Sequence, residues 1–251
     1  MIFFTYYRLY CTYKKNRFKQ GFFRILNKDF TYIDSASFVS MYKSIFINES
    51  YGFRADKPNP LIIDCGANIG LSVLYFKNLY PDSVIKAFEP DKKIFKILKL
   101  NTNNFNLSNV SIVNKGVWTK NGDADFLPDG ADGGKIVAGN PGKSLGKVKV
   151  IRLKNLLEEE EVDLLKIDIE GAEIDVLSDC RKNLSGVKLL FVEYHSFISH
   201  EQRLDELLNI LSEAGFKYYI DGIGASPKSP FLKQPENGGF DLQLNIYAHR
   251  E

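Results

Sequence analysis

From residue 61 onward, short apolar segments rich in β-branched residues alternate with longer segments in which apolar residues recur at helical spacing. Short apolar runs are typical of buried strands, and recurrence every three to four residues is typical of helices. The pattern predicts strands at 61–65, 84–89, 110–113, 162–168, 187–194, 216–220 and 240–248. It predicts helices at 70–79, at 91–104, from about 173 onward and at about 201–214. This order predicts an α/β protein with a doubly wound, mostly parallel seven-stranded sheet and a terminal antiparallel strand pair.

A glycine-rich stretch interrupts the alternation at 130–146, between two further strands predicted at 122–127 and 147–152. The stretch is too polar for a core, and two interpretations stay open. It is a lid that orders over a substrate, or it is a disordered surface loop.

The segment before the first strand has a different character. Residues 36–47 place Phe38, Met41 and Phe46 on one helical face, with Asp34 or Ser35 as the cap. The prolines of Asp56-Lys57-Pro58-Asn59-Pro60 discourage regular structure and predict a linker. We therefore divide the chain into an N-terminal arm and helix, 1–57, and a catalytic domain, 58–251.

The turn after the first strand carries the most specific chemistry of the chain. It reads Asp64-Cys65-Gly66-Ala67-Asn68-Ile69-Gly70, and Glu89 ends the second strand. Strand, glycine turn, helix, strand and acid form a nucleoside-binding unit, in which the acid accepts hydrogen bonds from the ribose. We expect Asp64, Gly66, Asn68, Gly70 and Glu89 to bind the cofactor.

The charge of this turn favours one nucleoside over another. A dinucleotide fingerprint has glycine where Asn68 stands, and Asp64 would repel a pyrophosphate. A ligand with an ammonium and a sulfonium group, S-adenosylmethionine, suits the turn better. An NAD-dependent oxidoreductase is the alternative from another enzyme class.

Polar side chains also follow the next strands along the sheet. Asn114, Lys115 and Gly116 follow the third strand, and we expect them to border the adenine. Asp168 ends the fourth strand, where it should face the methyl donor or the acceptor hydroxyl.

An acceptor hydroxyl must lose a proton during methyl transfer, so the sequence should supply a base. His195 is expected just past the fifth strand, and an imidazole accepts a proton near neutral pH. We predict His195 as the general base, with Asp168 and Glu170 as the other catalytic candidates. Glu173 is interpreted as an acid of a first helical turn, where the helix dipole favours it. Lys166 interrupts an apolar strand, so it must be paired or reach the site.

Composition narrows the classes of protein. The formal net charge of +2 gives no reason to expect nucleic acid, and no run of apolar residues is long enough to span a membrane. The three cysteines, Cys11, Cys65 and Cys180, have no metal-binding spacing, which predicts a cytoplasmic protein. Residues 1–30 carry seven Lys and Arg, one Asp and ten aromatic residues. This tail predicts either peripheral contact with the inner face of the cytoplasmic membrane or an arm packed on the domain or on a second subunit.

Four blocks together resemble the FkbM family of S-adenosylmethionine-dependent methyltransferases. They are the glycine turn, Ala87-Phe88-Glu89-Pro90, the run Leu165-Lys166-Ile167-Asp168-Ile169-Glu170-Gly171-Ala172-Glu173, and Phe191-Val192-Glu193-Tyr194-His195. Gly130-Ala131-Asp132-Gly133-Gly134 and the closing Asp241-Leu242-Gln243-Leu244-Asn245 belong to the same pattern. The resemblance runs from about Phe30 to the C-terminus, so nothing is carried onto residues 1–29.

The resemblance implies a class I methyltransferase fold with strand order 3-2-1-4-5-7-6. It also implies O-methylation, typically of sugar hydroxyls in bacterial surface glycans or natural products. Mg²⁺ bound by the acids and Glu193 is an alternative that we do not favour, and a catalytically silent binding module is another. The acceptor, a small molecule or a glycan, is not specified by any residue pattern, and a homodimer is left open.

Overall fold

The structure is a computed structural model that describes residues 2–15, 17–128, 133–137, 146–224, 229, 231–232 and 239–250. Most of the predicted lid stretch, 130–146, lies outside these residues. Gly130, Ala131 and Asp132 of the family pattern also lie outside them.

The chain begins with an appendage of two helices and a hairpin. Its elements are α1 (Ile2–Tyr13), β1 (Gly21–Ile25), β2 (Lys28–Tyr32), α2 (Ser35–Tyr42) and a π-helical turn (Lys43–Ile47). The Asp34 carboxylate accepts a hydrogen bond from the Ser37 N–H at 2.9 Å, so Asp34 is the cap of α2.

The central sheet has seven strands in the order β5-β4-β3-β10-β11-β13-β12. These strands are β3 (Leu61–Cys65), β4 (Val84–Phe88), β5 (Val110–Val113), β10 (Val162–Ile167), β11 (Val187–Phe197), β12 (Lys217–Gly222) and β13 (Phe240–His249). β13 pairs antiparallel with both of its neighbours, and the remaining pairs are parallel. The predicted seven-stranded class I methyltransferase topology, with its terminal antiparallel pair, is confirmed.

Helices cover both faces of this sheet. They are α3 (Leu71–Leu79), α4 (Lys92–Asn104), α5 (Leu153–Glu159), α6 (Glu173–Cys180) and α7 (Leu204–Glu213), with a 3-10 turn at Arg181–Gly186. Successive residues of β10 point to opposite faces, so Leu164 and Leu165 belong to two different hydrophobic clusters. Burial on both faces explains why the central strands read as continuous apolar runs.

The appendage shares a core with the sheet. Phe30 and Phe38 are fully buried in the same cluster as Ile62, Phe76 and Ile85. The division at residue 57 stays a prediction, but packing is continuous across it.

A smaller four-stranded sheet stands where two strands were predicted. It contains β6 (Gly116–Trp118), β7 (Gly122–Leu127), β8 (Lys135–Val137) and β9 (Gly146–Arg152), in the order β6-β9-β7-β8. The strands β6 and β8 have three residues each, too few to leave a periodic pattern in the sequence.

Within the part of the chain that the structure describes, no helix combines the length and the apolar character needed to cross a bilayer.

Candidate active site

The glycine turn after β3 passes in contact with the end of β10. Gly66 and Gly70 have φ angles of +83° and +88°, a region that residues with a Cβ rarely adopt. A Cβ at Gly66 would overlap the carbonyl oxygen of Asp168. A Cβ at Gly70 would lie 2.6 Å from Leu98 Cδ1. Glycine is therefore favoured at Gly66 by both the backbone contact and the positive φ, and at Gly70 mainly by the positive φ.

A buried ion-pair network joins the tips of β3 and β10. Lys166 Nζ lies 3.2 Å from Asp64 Oδ1 and 3.3 Å from Asp168 Oδ2, and it donates to the Gly66 carbonyl at 3.0 Å. The second Asp64 oxygen accepts from the Ser72 hydroxyl at 2.6 Å. Burial alone would lower the pKa of Lys166, but the two carboxylates raise that pKa well above its usual value. Lys166 therefore keeps its positive charge. It is ion-paired with Asp64 and Asp168, and it also forms part of the cavity wall.

Glu89 ends β4 with its carboxylate turned toward the glycine turn. Its two oxygens accept from the Asn68 N–H at 3.0 Å and the Asp91 N–H at 2.8 Å. Burial raises the pKa of Glu89 to about 8 despite these hydrogen bonds. Asn68 has φ +48°, a conformation that asparagine tolerates better than most residues. Glu89 and Asn68 line one cavity, as a ribose site requires.

The three residues predicted to border the adenine do not all line the cavity. Gly116 is on the cavity wall, whereas Asn114 and Lys115 are not among the described lining residues. The Asn114 amide donates to the carbonyls of Glu89 and Pro90, at 2.9 and 3.1 Å. The Asn114 amide nitrogen therefore holds the tip of β4, and its role at the adenine stays a prediction.

His195 lies inside β11, which corrects the prediction that it follows the strand. It is 4% exposed, and its Nδ1 is 3.0 Å from Glu173 Oε1. Its Nε2 lies 3.4 Å from Glu193 Oε1, 3.6 Å from Glu170 Oε2 and 3.2 Å from the Gln243 amide nitrogen.

This setting differs from the solvated imidazole of a typical base, and the role of His195 as general base stays a prediction. Burial alone would lower the pKa of His195, but Glu173, Glu193 and Glu170 raise that pKa well above its usual value. Nε2 is then protonated; in a neutral ring it would accept from the Gln243 amide. His195 is also not among the described residues of the cavity wall.

Glu173 proves to be a buried partner of this histidine. Its carboxylate is 1% exposed and accepts from the Gly171 N–H at 2.9 Å and the Ile169 N–H at 3.2 Å. Glu173 lies in the first turn of α6, as interpreted from the sequence, but its pairing with His195 was not predicted. The sequence signal for this role was a glycine, Gly171, two residues before the acid at the helix start. Its φ of +99° lets the turn fold back onto the Glu173 carboxylate.

Glu170 has the least committed carboxylate at this edge of the sheet. Asp168 is paired with Lys166, and Glu193 accepts from the Gln243 amide at 2.7 Å. Glu170 instead makes a longer contact, 3.6 Å from its Oε2 to His195 Nε2. Burial raises the pKa of Glu170 to about 8, and nearby carboxylates add to the effect. Burial and the Glu193 charge also raise the pKa of Asp168.

The described residues enclose a cavity of about 470 Å³ between the glycine turn and these acids. This volume suits a small ligand of cofactor size. Asp168, Glu170 and Glu193 line it, together with Gly66, Asn68 and Glu89. Asp64, Gly70 and His195 lie behind its wall and act through the residues they hold.

Sequence reasoning missed several wall residues from distant elements. Tyr51, Gln243 and Asn245 line the cavity, and so do Ser40 and Met41 of α2. Tyr51 stands after the appendage, with its ring 5.6 Å from Lys166 Nζ. Gln243 and Asn245 alternate on β13, a pattern that predicts only a face of a strand.

Three side chains at this edge could together hold a metal ion. Among the described residues, ligand atoms of Asp168, Glu193 and His195 lie within 4.8 Å of one another. Two carboxylates and an imidazole suit a transition metal better than Mg²⁺, which prefers oxygen ligands. The same imidazole is already hydrogen-bonded at both nitrogens, so these contacts would have to be exchanged for metal coordination.

The sheet order and the cofactor-sized cavity at the carboxyl ends of its strands define a class I methyltransferase fold. The family model described as the methyltransferase FkbM domain matches residues 64–218. The chain therefore belongs to the FkbM methyltransferase family, as its sequence blocks indicated.

Individual relatives agree with this assignment. The chain is 33% identical over 172 residues to methyltransferase sdnD of Sordaria araneosa, covering 55% of this chain and 66% of that protein. It is 27% identical over 169 residues to 2-O-methyltransferase NoeI of Sinorhizobium fredii, covering 59% of this chain and 69% of that protein.

A solved structure supports the fold. The crystal structure of methyltransferase FkbM from Methylobacillus flagellatus aligns with a TM-score of 0.55 at 16% identity, over 83% of this chain and 48% of that one. The matched part thus spans about two thirds of the two curated relatives and about half of the solved chain.

Proposed function

We propose that this protein is an S-adenosylmethionine-dependent O-methyltransferase that acts on a sugar hydroxyl in surface-glycan or natural-product biosynthesis. The observation that carries the proposal is a single cavity with a nucleoside cradle at one side and three carboxylates, Asp168, Glu170 and Glu193, at the other. Family membership supports methyl transfer, and the name of one relative, a 2-O-methyltransferase, supports oxygen as the acceptor atom.

The residues of the cavity fit this cofactor. Glu89 offers a carboxylate for ribose hydroxyls, and the Gly66 to Asn68 backbone allows a ligand to approach closely. The acids at the β10 and β11 ends favour a cationic group between them. S-adenosylmethionine supplies a methyl group on a cationic sulfonium.

We assign the general base to Glu170. Its carboxylate faces the cavity and is the least engaged of the three, so it can accept the proton of an acceptor hydroxyl. His195, held by Glu173, keeps a positive charge behind the acids and lowers the pKa of Glu170 from the value it would otherwise have. Full activity in EDTA would remove the metal alternative at Asp168, Glu193 and His195.

Calorimetric titration with S-adenosylhomocysteine tests the cofactor half of the proposal. We expect binding by the native chain and a loss of about tenfold in Glu89→Ala, because each lost hydrogen bond to the ribose hydroxyls costs about 0.5–1.5 kcal/mol. The exposed Glu158→Ala is the matched control and should bind like the native chain. Absence of binding, or equal affinity in Glu89→Ala, would refute the cofactor assignment.

The alternatives make different predictions in the same assays. A catalytically silent module would bind the cofactor and turn over no hydroxyl acceptor. No observation on the described residues favours the NAD-dependent oxidoreductase, and competition by NAD for the titrated site would be needed to revive it. We place the reaction in the cytoplasm, since all three cysteines are free thiols.

A further inference from the structure

The N-terminal appendage exposes several aromatic side chains to solvent. On α1, Tyr7, Tyr10 and Tyr13 are 67%, 59% and 56% exposed, whereas Leu9 and Thr12 are buried. Positions three apart lie along one side of a helix, so the tyrosines form one outward stripe.

The connection and hairpin that follow also expose large apolar side chains. Phe18, Phe22 and Leu26 are each about 60% exposed, while Phe23 and Ile25 of the same hairpin are buried. The aromatic residues of the tail whose side chains the structure describes thus divide into a packed set and an exposed set. Packing against the domain accounts only for the first.

Cations surround the exposed set. Residues 1–28 contain seven Lys and Arg and no Asp or Glu. The carboxylate of Asp34 pairs with one of them, Arg17, at 2.7 Å. Lys14, Lys15 and Lys19 are exposed, and Lys14 Nζ lies 5.3 Å from the centroid of the Tyr10 ring. Aromatic residues interleaved with cations suit the interface of a membrane that carries negative charge, since rings enter the headgroup region and cations meet lipid phosphates.

We propose that this surface, formed by Tyr7, Tyr10, Tyr13, Phe18, Phe22 and Leu26 with the neighbouring lysines, binds an anionic lipid membrane. A second protein copy would need acidic side chains placed opposite these cations. An anionic bilayer presents negative charge over its whole surface. The helix α1 packs on α2, and α2 lines the cavity with Ser40 and Met41. The membrane-bound surface would thus place the cavity near acceptors carried on lipids.

Vesicle flotation tests the proposal with the full chain. We expect it to float with phosphatidylcholine vesicles containing phosphatidylglycerol at low salt, to be released at high salt, and to stay at the bottom with pure phosphatidylcholine. Failure to float on the anionic vesicles would overturn the proposal. Equal flotation on both vesicles would overturn its electrostatic part.

Charge variants locate the binding surface. Neutralising Lys14, Lys15 and Lys19 to Gln should weaken the partition coefficient roughly fivefold per residue. The matched control removes three exposed lysines elsewhere, Lys120→Gln, Lys182→Gln and Lys217→Gln. An equal loss in the control would show that only net charge matters and would overturn the assignment to this surface.

Aromatic variants test the other half of the surface. The triple change Tyr7→Ser, Tyr10→Ser and Tyr13→Ser should weaken binding by roughly tenfold or more. Tyr218→Ser with Tyr219→Ser on β12 is the control and should bind like the native chain. Retained binding in the triple variant would contradict the proposal.

The native cysteines provide a readout that requires no substitution. Cys11 is exposed on α1, while Cys65 and Cys180 are buried, so a thiol-reactive environment-sensitive dye should label Cys11 selectively. Its emission should shift to the blue on addition of anionic vesicles. A shift that instead grows with protein concentration alone would identify self-association and overturn the membrane assignment.

Discussion

At the scale of single residues, Gly66 shows why the turn after β3 carries glycine. Its missing side chain leaves room for the Asp168 carbonyl, and its positive φ turns the chain after β3. The cost of a side chain there has two sources, a clash with backbone and a strained dihedral.

We therefore expect Gly66→Ala to lose about 3 kcal/mol or more of unfolding free energy. Urea denaturation measures this change. Gly146→Ala is the control, since a Cβ there meets nothing within 4 Å, and it should stay within about 0.5 kcal/mol of the native chain. Similar values for the two variants would contradict the close approach of β3 and β10.

The assignment of Glu170 as base makes a prediction about pH. Because burial raises the pKa of Glu170 to about 8, kcat/KM should rise with pH and level off above that value as the carboxylate ionises. Glu170→Gln should lower turnover roughly 10²–10⁴-fold and remove this rise.

His195→Ala separates the two candidate bases. Loss of the His195 cation should raise the pKa of Glu170 further, so the rise in kcat/KM should persist but move to higher pH. If the rise disappears in His195→Ala and persists in Glu170→Gln, the base is His195 after all. S-adenosylhomocysteine affinity, measured in parallel, should change little in both variants.

The charge of His195 also has a consequence for stability. Its folded-state pKa is raised above the unfolded value of about 6.5, so its ion pairs contribute fully below that pH. That contribution is lost as pH rises through the folded-state pKa. Glu173→Gln, which removes the partner of Nδ1, should reduce this dependence, as unfolding measurements at pH 6 and pH 9 would show.

At the scale of elements, the small sheet and α2 form the changeable walls of the cavity. Gly134 and Ile136 around β8 line it from one element, and Ser40 and Met41 line it from another. Neither element belongs to the central sheet, so both can vary without disturbing the cofactor turn.

Exchanging residues 128–146 for those of a relative with another acceptor should therefore change acceptor preference and leave S-adenosylhomocysteine affinity intact. The measurement is kcat/KM on two acceptors beside a calorimetric titration. An exchange within β12, away from the described cavity residues, is the control. Loss of cofactor binding would mean that the stretch is structural.

At the scale of the whole molecule, the appendage is part of the folded core. Leu9, Phe23 and Ile25 are buried in the cluster that also covers β3 and β4. Burying a large apolar side chain contributes about 1.5–3 kcal/mol.

A chain lacking residues 1–28 should accordingly lose roughly 5 kcal/mol or more, and its Tm should fall by about 10 °C or more. Differential scanning calorimetry checks this. The triple Tyr→Ser variant of the exposed stripe is the control and should melt within a few degrees of the native chain. Because truncation is expected to destabilise the fold, point variants are the appropriate test of membrane binding.

Local pattern was enough to predict the class of fold of this protein and the position of its glycine turn. Buried parallel strands leave apolar runs, and a turn that needs positive φ leaves glycines, so Ile62, Gly66 and Gly70 carry their signal in the sequence itself. Strand ends of a parallel sheet meet at one edge, so Glu89 and Asp168 could be placed at one site without coordinates.

The protonation and partners of the acid cluster were decided only by tertiary structure. The charge of His195 depends on Glu173, 22 residues earlier, and on Glu170 and Glu193 gathered by β10 and β11. A pKa is set by every charge within a few ångströms and by burial, and neither quantity is written in local periodicity. Tertiary structure also determines the surface of the tail, because packing decides which of its aromatic residues are buried and which face outward.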